Sequence, residues 1–427
     1  MGELFNASRF REVLLLTPLQ PQLRSPMSLP PPCHGVGCDF LPSFETRFAR
    51  LRSGITRDAV ARMYNDGRGS GTLFQLRQGK VFELPAVGCY KRFHLARVFH
   101  FRLMLQELLR TFPTLPDAEL VLNCADSMFS YRHDVLQVPK RHEAYDEATS
   151  GGLPALTNVA CDFSSNVPAP AFDGTRGVSW PQYDALVREH RTLRSAVPWG
   201  KKRNDIFWRG TLRDSIWDCE GSISSHFARG NLLRRACSRW EGSREYHANR
   251  SGYGLDVGAT NLGAPYVSAA EAEEFKYQLI IEGAGFYADR SSRMLFSGSA
   301  LLIPKTAWRC DEWFMQLMQP MVHYIPVDYE LRNLSATLRW ARTNDALVKS
   351  IGENAFAFAK RYLNKRAILE YMHALISQMH RLRSEPVLRR KVPPSVCSKR
   401  KELAQRARLA TEREWWKRSA ASCGEAT

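Results

Sequence analysis

The sequence predicts an α/β protein, and three observations carry that prediction. Short apolar runs of strand length recur at residues 119–122, 205–208, 277–281 and 300–303. Helical periodicity stands beside them; Val98, Phe101, Leu105, Leu108 and Phe112 fall on one helix face. Helix precedes strand repeatedly, the alternation from which sheets covered by helices are built.

In chain order, residues 1–40 are proline-rich, with Pro30-Pro31-Pro32, and read as a disordered leader. A helical pattern runs over 44–65, and a glycine-rich loop over 67–71. Residues 74–84 alternate like a hairpin around Gln78-Gly79. Pro113 and Pro116 end the helix that carries Phe112, and strand 119–122 follows. Residues 140–177 are loop-like, and 183–193 resume as helix. After strand 205–208 come a polar insertion at 214–226 and a helix at 230–240. Strand 277–281 runs into Glu282-Gly283-Ala284-Gly285, then helix 291–297 and strand 300–303. Two long helical patterns, 344–362 and 365–382, close the globular part. There is no internal repeat.

At 427 residues the chain exceeds one typical core, so two domains are expected. Its 44% apolar and 24% charged residues are those of a globular protein. The net charge of +17 favours anionic partners: nucleotides, nucleic acid or acidic membrane. Much of that excess lies in a basic tail, residues 384–427, with Arg389-Arg390-Lys391 and Lys399-Arg400-Lys401, and such runs are usually solvated. The ten cysteines include no C-x-x-C pair, which argues against a structural zinc site. They suit either reduced thiols or a few disulfides. No segment reaches the roughly 18–20 apolar residues of a membrane span. Only Val13 to Leu16 follow Arg9 and Arg11, less than the apolar core of a secretory signal.

A Gly-x-Gly turn between a buried strand and a helix gathers backbone N–H groups where phosphate binds well. Gly283 and Gly285 stand in that place, with Arg290 and Arg293 as cationic partners. The alternative is an ordinary tight turn.

Several motifs then occur in a fixed order. Ala118 to Asp126 reads AELVLNCAD; Pro198-Trp199-Gly200-Lys201-Lys202 precedes Phe207-Trp208-Arg209-Gly210-Thr211. Lys276-Tyr277 opens the glycine-turn strand, and Asp311-Glu312-Trp313 and a closing His323-Tyr-Ile-Pro-Val follow. This ordered set resembles the CAP10-like protein O-glycosyltransferases, glycosyltransferase family 90, which includes protein O-glucosyltransferases and capsule xylosyltransferases. The resemblance spans about residues 82–383.

What the resemblance implies is a GT-B-like architecture, two Rossmann-like lobes facing a cleft. The acceptor-side lobe is expected at 41–198 and the nucleotide-sugar lobe at 199–383. A hinge is expected near 197–201, and the last helix returns to the first lobe. The implied activity is inverting transfer of glucose or xylose from a UDP-sugar to a protein or glycan hydroxyl. No cofactor is implied beyond the UDP-sugar co-substrate. Residence in the endoplasmic reticulum or Golgi lumen is implied as well. The short apolar start departs from this: the N-terminus is incomplete, entry is atypical, or the protein is cytoplasmic.

Site residues follow one by one. Asp126 lies just past a strand end, where open α/β sheets place ligands, and matches the family's base. The competing role is a turn or cap aspartate. Ser127-Met128-Phe129 replaces the family's aromatic-Pro. Arg209, Thr211 and Arg229 match donor-binding positions, with Arg213 competing for Arg229's place. Asp289 falls near a phosphate-proximal serine, an unfavourable charge unless Arg290 or Arg293 offsets it. Phe172 and Asp173 match the acceptor-side loop, where packing is the other reading of the aromatic. No D-x-D motif occurs, so no metal is expected; Asp311-Glu312 reads as a helix N-terminal feature. His323 reads as a satisfied core histidine. A rival reading is a non-catalytic nucleic-acid binder using the basic tail and Trp415-Trp416. Another is a family member that has lost donor binding.

Overall fold

The computed structural model describes residues 33–49, 54–58, 60, 71–84, 92–124, 155–160, 166–172, 179–194, 197–210, 254–259, 265–281, 290–304, 311–328, 331, 333–383 and 385–387. The polar insertion at 214–226, the helix expected at 230–240 and nearly all of the basic tail lie outside them. All the described residues belong to one packed unit, 33–427.

Residues 33–40, within the stretch read as a leader, are folded. A Cys33–Cys38 disulfide spans the start of a 3-10 helix, Gly35–Phe40, which runs straight into α1, Leu41–Phe48. Pro42 sits at the start of α1, where its missing N–H costs nothing. Phe40 and Phe44 are buried against Tyr371, with ring centroids 4.7 and 5.3 Å away. Gly37 permits this approach, since a Cβ there would lie 2.3 Å from the Glu370 carbonyl oxygen. Glycines that allow close packing here look, in sequence, like the punctuation of a flexible leader.

The first sheet is mixed. Its strands are β1 (Gly71–Arg77), β2 (Lys80–Leu84), β3 (Ala118–Asn123), β4 (Leu156–Thr157) and β6 (Val167–Pro168), in the order β2-β1-β3-β4-β6. The hairpin turn is where the sequence puts it: Gln78 at φ 48° and Gly79 at φ 71° are the left-handed pair that a two-residue turn needs. β1 is antiparallel to both neighbours, whereas β3, β4 and β6 run parallel. The sheet therefore differs from the all-parallel form expected of a Rossmann-like lobe. Helix α2, Arg92–Thr111, buries the predicted face, Val98, Phe101, Leu105, Leu108 and, just beyond its end, Phe112.

The second sheet is wholly parallel. After α3, Tyr183–Arg194, come β7 (Arg203–Gly210), β8 (Leu255–Ala259), α4 (Ala269–Ala272), β9 (Phe275–Leu279), α5 (Arg290–Met294), β10 (Ala300–Pro304) and β12 (Ile325–Val327). The strand order is β12-β10-β9-β7-β8. One face, with Ile206, Trp208, Tyr277 and Leu302, packs on α6 (Leu334–Thr343) and α7 (Asp345–Tyr362).

A third, two-stranded ladder joins material from both sheets. β5, Val159–Ala160, pairs antiparallel with β11, Asp311–Glu312. Asp311-Glu312 is thus a strand, not a helix start, because a partner far away in sequence completes its hydrogen bonds.

The last described helix, α8 (Lys365–Arg381), returns to the first sheet. The Tyr371 hydroxyl donates to the Pro168 carbonyl, and Arg383 Nη1 meets Glu119 Oε2 of β3 at 2.8 Å. Structure continues past the expected boundary at 383: Glu385 accepts from the Arg57 N–H at 2.7 Å, and Val387 is buried. Among the described residues, no helix is long and apolar enough to cross a membrane.

Buried His373 packs at a tilt against Phe112 and meets His34 edge-on, both at 4.6 Å between centroids. Burial, and next the neighbouring His34, lower its pKa to about 4. A histidine near 6.5 in the unfolded chain therefore takes up its proton on unfolding. The neutral ring stabilises the fold above pH 6.5, and that contribution is lost as pH falls from about 6.5 towards 4. Thermal unfolding from pH 7 to 4 should show this slope, and His373→Phe should flatten it. An equal slope in the variant would assign the acid sensitivity elsewhere.

Candidate active site

The parallel sheet fixes where a ligand fits. β7 pairs with β8 on one side and β9 on the other, with Ile206 opposite Tyr277 and Phe207 opposite Gln278. Chain leaving β7 continues to β8, and chain leaving β9 continues to β10, on opposite sides. Strand order thus reverses between β7 and β9, and the crevice beyond their C-terminal ends is the general ligand position of such sheets. From these two neighbouring strand ends depart the segment bearing Thr211, Arg213 and Arg229 and the segment bearing Gly283, Gly285 and Asp289. All six residues lie outside the described residues, as do Asp126 and Asp173.

Arg209 is described, and it is heavily partnered. Its guanidinium pairs with the Asp256 carboxylate and donates to the Asp256 carbonyl at 2.8 Å. It lies 5.2 Å from the centroid of the Phe207 ring, which stacks on Phe275 at 4.6 Å, and Arg203 covers Phe275 from 4.4 Å. Asp256 also meets Arg203 at 3.4 Å. This ladder locks β7, β8 and β9 together just below the crevice, so any donor contact by Arg209 competes with Asp256. Arg290 opens α5, and Arg293 on the same helix is exposed. Since α5 has only five residues, its macrodipole offers a phosphate little, and the loop N–H groups and arginines would carry such binding.

The Pro-Trp-x-Lys-Lys segment does a different job at the opposite edge. The Trp199 indole donates to Asp345 Oδ2 at 3.0 Å, and Lys276 Nζ to Asp345 Oδ1 at 2.7 Å. Burial pushes the Asp345 carboxyl up, but the hydrogen bonds from Lys276 and Trp199 outweigh it and hold the pKa low. Buried Lys202 reaches Ser299 Oγ at 2.9 Å and Glu273 Oε2 at 3.3 Å. These contacts tie the N-terminal ends of β7 and β9 to the start of α7, away from the crevice.

A cavity of about 70 Å³ lies where elements of the two sheets meet. Arg97, Asn158 and Phe172 line it from the first, and Ser292, Glu312 and Trp313 from the second. Glu312, in β11, accepts from Ser291 Oγ of α5 at 2.7 Å. Arg97 Nη1 donates to the Cys124 carbonyl at 3.1 Å, immediately after β3. Cys124, fully buried, is itself disulfide-bonded. The cavity wall thus includes Arg97, bonded to the residue after β3, and Ser292 of α5.

Tyr183 also lines the cavity. Burial, then the Asp184 and Glu312 carboxylates, push its hydroxyl far up, so it remains a phenol. Phe172 is 2% exposed and packs edge-on against Trp180 and Tyr183, so packing accounts for most of its surface. His323 sits in the turn before β12, half-buried, accepting from the Gln319 N–H at 2.9 Å and packed on Phe358. Burial lowers its pKa. It is a satisfied histidine, as expected, though outside the strand. Arg97 and Glu312 were not among the expected site residues. No spacing marks Arg97, because its meeting with β3 depends on how α2 is rotated.

A parallel sheet with a switch point and a second, mixed sheet, with a cavity lined by elements of both, make an α/β enzyme-like frame. The chain belongs to glycosyl transferase family 90, whose family model matches residues 44–426. It is 25% identical to human protein O-glucosyltransferase 1 over 377 residues, 84% of each chain. It is 24% identical to O-glucosyltransferase rumi of Drosophila melanogaster over 290 residues, 64% of this chain and 63% of that one. Uncharacterized protein 035R of invertebrate iridescent virus 3 is 22% identical over 236 residues, 54% of this chain but 21% of the viral protein.

Proposed function

We propose that the protein is an inverting O-glycosyltransferase that moves glucose or xylose from a UDP-sugar to a protein or glycan hydroxyl. The observation that carries this reading is the switch point between β7 and β9 of the parallel sheet, with a cavity lined by elements of both sheets, among them Arg97 and Ser292 of α5. The O-glucosyltransferase names of the relatives favour the same reaction. In it, the acceptor oxygen attacks the anomeric carbon as the bond to UDP breaks and UDP leaves with the bonding electrons. Asp126 takes the acceptor proton as general base. Arginines and loop N–H groups, from among Arg209, Thr211, Arg213, Arg229, Gly283, Gly285, Arg290 and Arg293, offset the charge developing on the diphosphate without a metal. The two sheets correspond to two lobes of a GT-B-like enzyme. The Cys33–Cys38 disulfide favours an oxidising compartment such as the endoplasmic reticulum lumen.

Thermal unfolding with millimolar UDP, ADP or GDP, beside a single-stranded oligonucleotide, tests this. A ligand at about 100 times its dissociation constant adds roughly 2.7 kcal/mol, a shift of several degrees. Stabilisation by UDP over ADP and GDP is the expected result. A salt-sensitive response to the oligonucleotide alone would favour a nucleic-acid binder. No shift with any ligand would point to a family member without donor binding.

A further inference from the structure

We propose that Glu312 is a positioning residue, holding α5 so that Arg293 meets the diphosphate of the donor; this rests on the transferase reading with Arg293 as a phosphate contact. The Glu312 carboxylate accepts from Ser291 Oγ at 2.7 Å, and both residues are buried. Ser291 and Arg293 are two residues apart on α5, about 200° around a helix of 3.6 residues per turn. The side of α5 that carries Ser291 is therefore turned inward, and Arg293 is exposed. Just beyond it, Met294, Leu295 and Phe296 are buried in the core. A helix of five residues is too short to keep its own direction. Its packed C-terminal end and the hydrogen bond near its start therefore set where Arg293 points.

Glu312 is itself held by elements of the first sheet's core. Its strand, β11, pairs with β5, with Glu312 opposite Val159. The next residue, Trp313, is buried, its ring 4.8 Å from that of Tyr371 in α8 and 5.7 Å from that of Phe40. These rings belong to the same core cluster as Leu73 of β1 and Leu120 of β3. The carboxylate thus stands on a frame built with the first sheet and ties down α5, which lies in the crossover from β9 to β10 of the second. Hydrogen bonds to a carboxylate are charge-assisted and about twice as strong as neutral ones. A misplacement of about 1 Å in a positioned group can cost 10²-fold. Loss of Glu312 should therefore weaken binding of a nucleoside diphosphate and leave binding of the bare nucleoside alone.

The test measures UDP and uridine binding by calorimetry on wild type, Glu312→Ala, Glu312→Gln, Ser291→Ala and Arg293→Ala. Glu312→Ala should weaken UDP about 10-fold and uridine by less than about twofold. Glu312→Gln keeps an oxygen that accepts from Ser291 and should stay within about twofold of wild type for both ligands. Ser291→Ala removes the same hydrogen bond from the other side, so it should repeat the Glu312→Ala result and serves if that variant fails to fold. In an Arg293→Ala background, Ser291→Ala should cost UDP affinity less than about twofold, because the group being positioned is gone. Unchanged UDP affinity in Glu312→Ala and Ser291→Ala would overturn the inference. So would an equal loss of uridine affinity, a loss that adds in full to that of Arg293→Ala, or a Glu312→Gln as weak as Glu312→Ala. Wild-type protein that binds no UDP would instead sink the transferase reading, and the role of Glu312 with it.

Discussion

Asp126→Asn should cut sugar transfer by at least about 10²–10⁴-fold while leaving UDP binding nearly unchanged. An amide cannot accept the acceptor proton, so the attacking oxygen must lose it to water, and the rate falls by the contribution of a positioned base. The substitution is almost isosteric, so donor groups on the second sheet should be unaffected. On the proposed role, the effect should fall on turnover. The chain enters Cys124-Ala125-Asp126 from a fully buried strand and is held at Cys124 by Arg97 and by a disulfide. Donor contacts are expected from other elements, the ends of β7 and β9. Initial rates with a UDP-sugar and acceptor, beside UDP binding by calorimetry, separate the two. Full transfer activity in Asp126→Asn would remove that residue from the role. A parallel loss of UDP affinity would make it a donor-binding group.

The parts of this fold legible in the sequence are those whose signal is local. β3, β7, β9 and β10 are apolar runs, and α7 and α8 carry long helical periodicity, so each lies within a few residues of its expected place. The hairpin was legible because Gln78-Gly79 must adopt positive φ. Where a feature depends on a distant partner, the sequence is silent. β11 is two residues long and exists because β5 lies beside it. Gly37 is buried, and Gly35 lies against Glu370, because α8 packs on this segment. Motif order pointed to the right family, yet it did not separate scaffold from site. The Pro-Trp-x-Lys-Lys residues bind Asp345, Glu273 and Ser299 at the N-terminal edge of the sheet, and Arg209 is engaged by Asp256. Polar residues that recur in a family motif can be buried ties between elements, and only their partners reveal it.

Arg383→Met should destabilise the protein by about 3–5 kcal/mol, the usual result of stranding one member of a buried ion pair. The Arg383 side chain is 5% exposed and that of Glu119 is 1% exposed, with 2.8 Å between Nη1 and Oε2. The other carboxylate oxygen of Glu119 accepts from Gln75 Nε2 at 2.7 Å, so the charge is enclosed by β1, β3 and the segment after α8. Removing the guanidinium leaves a carboxylate that must stay charged without its cation or take up a proton, and either costs free energy. Adding Glu119→Gln to Arg383→Met removes the charge while keeping an acceptor for Gln75, so the double variant should regain most of the loss. Denaturant midpoints of wild type, the single variants and the double variant give the coupling directly. A cost under about 1 kcal/mol for Arg383→Met would mean that water reaches Glu119 and the pair carries little. The expected result would show that β3, the strand leading to Asp126, is held by the chain beyond the last helix. A truncation before residue 383 should then weaken the candidate base side of the site without removing any of the described residues that line the cavity.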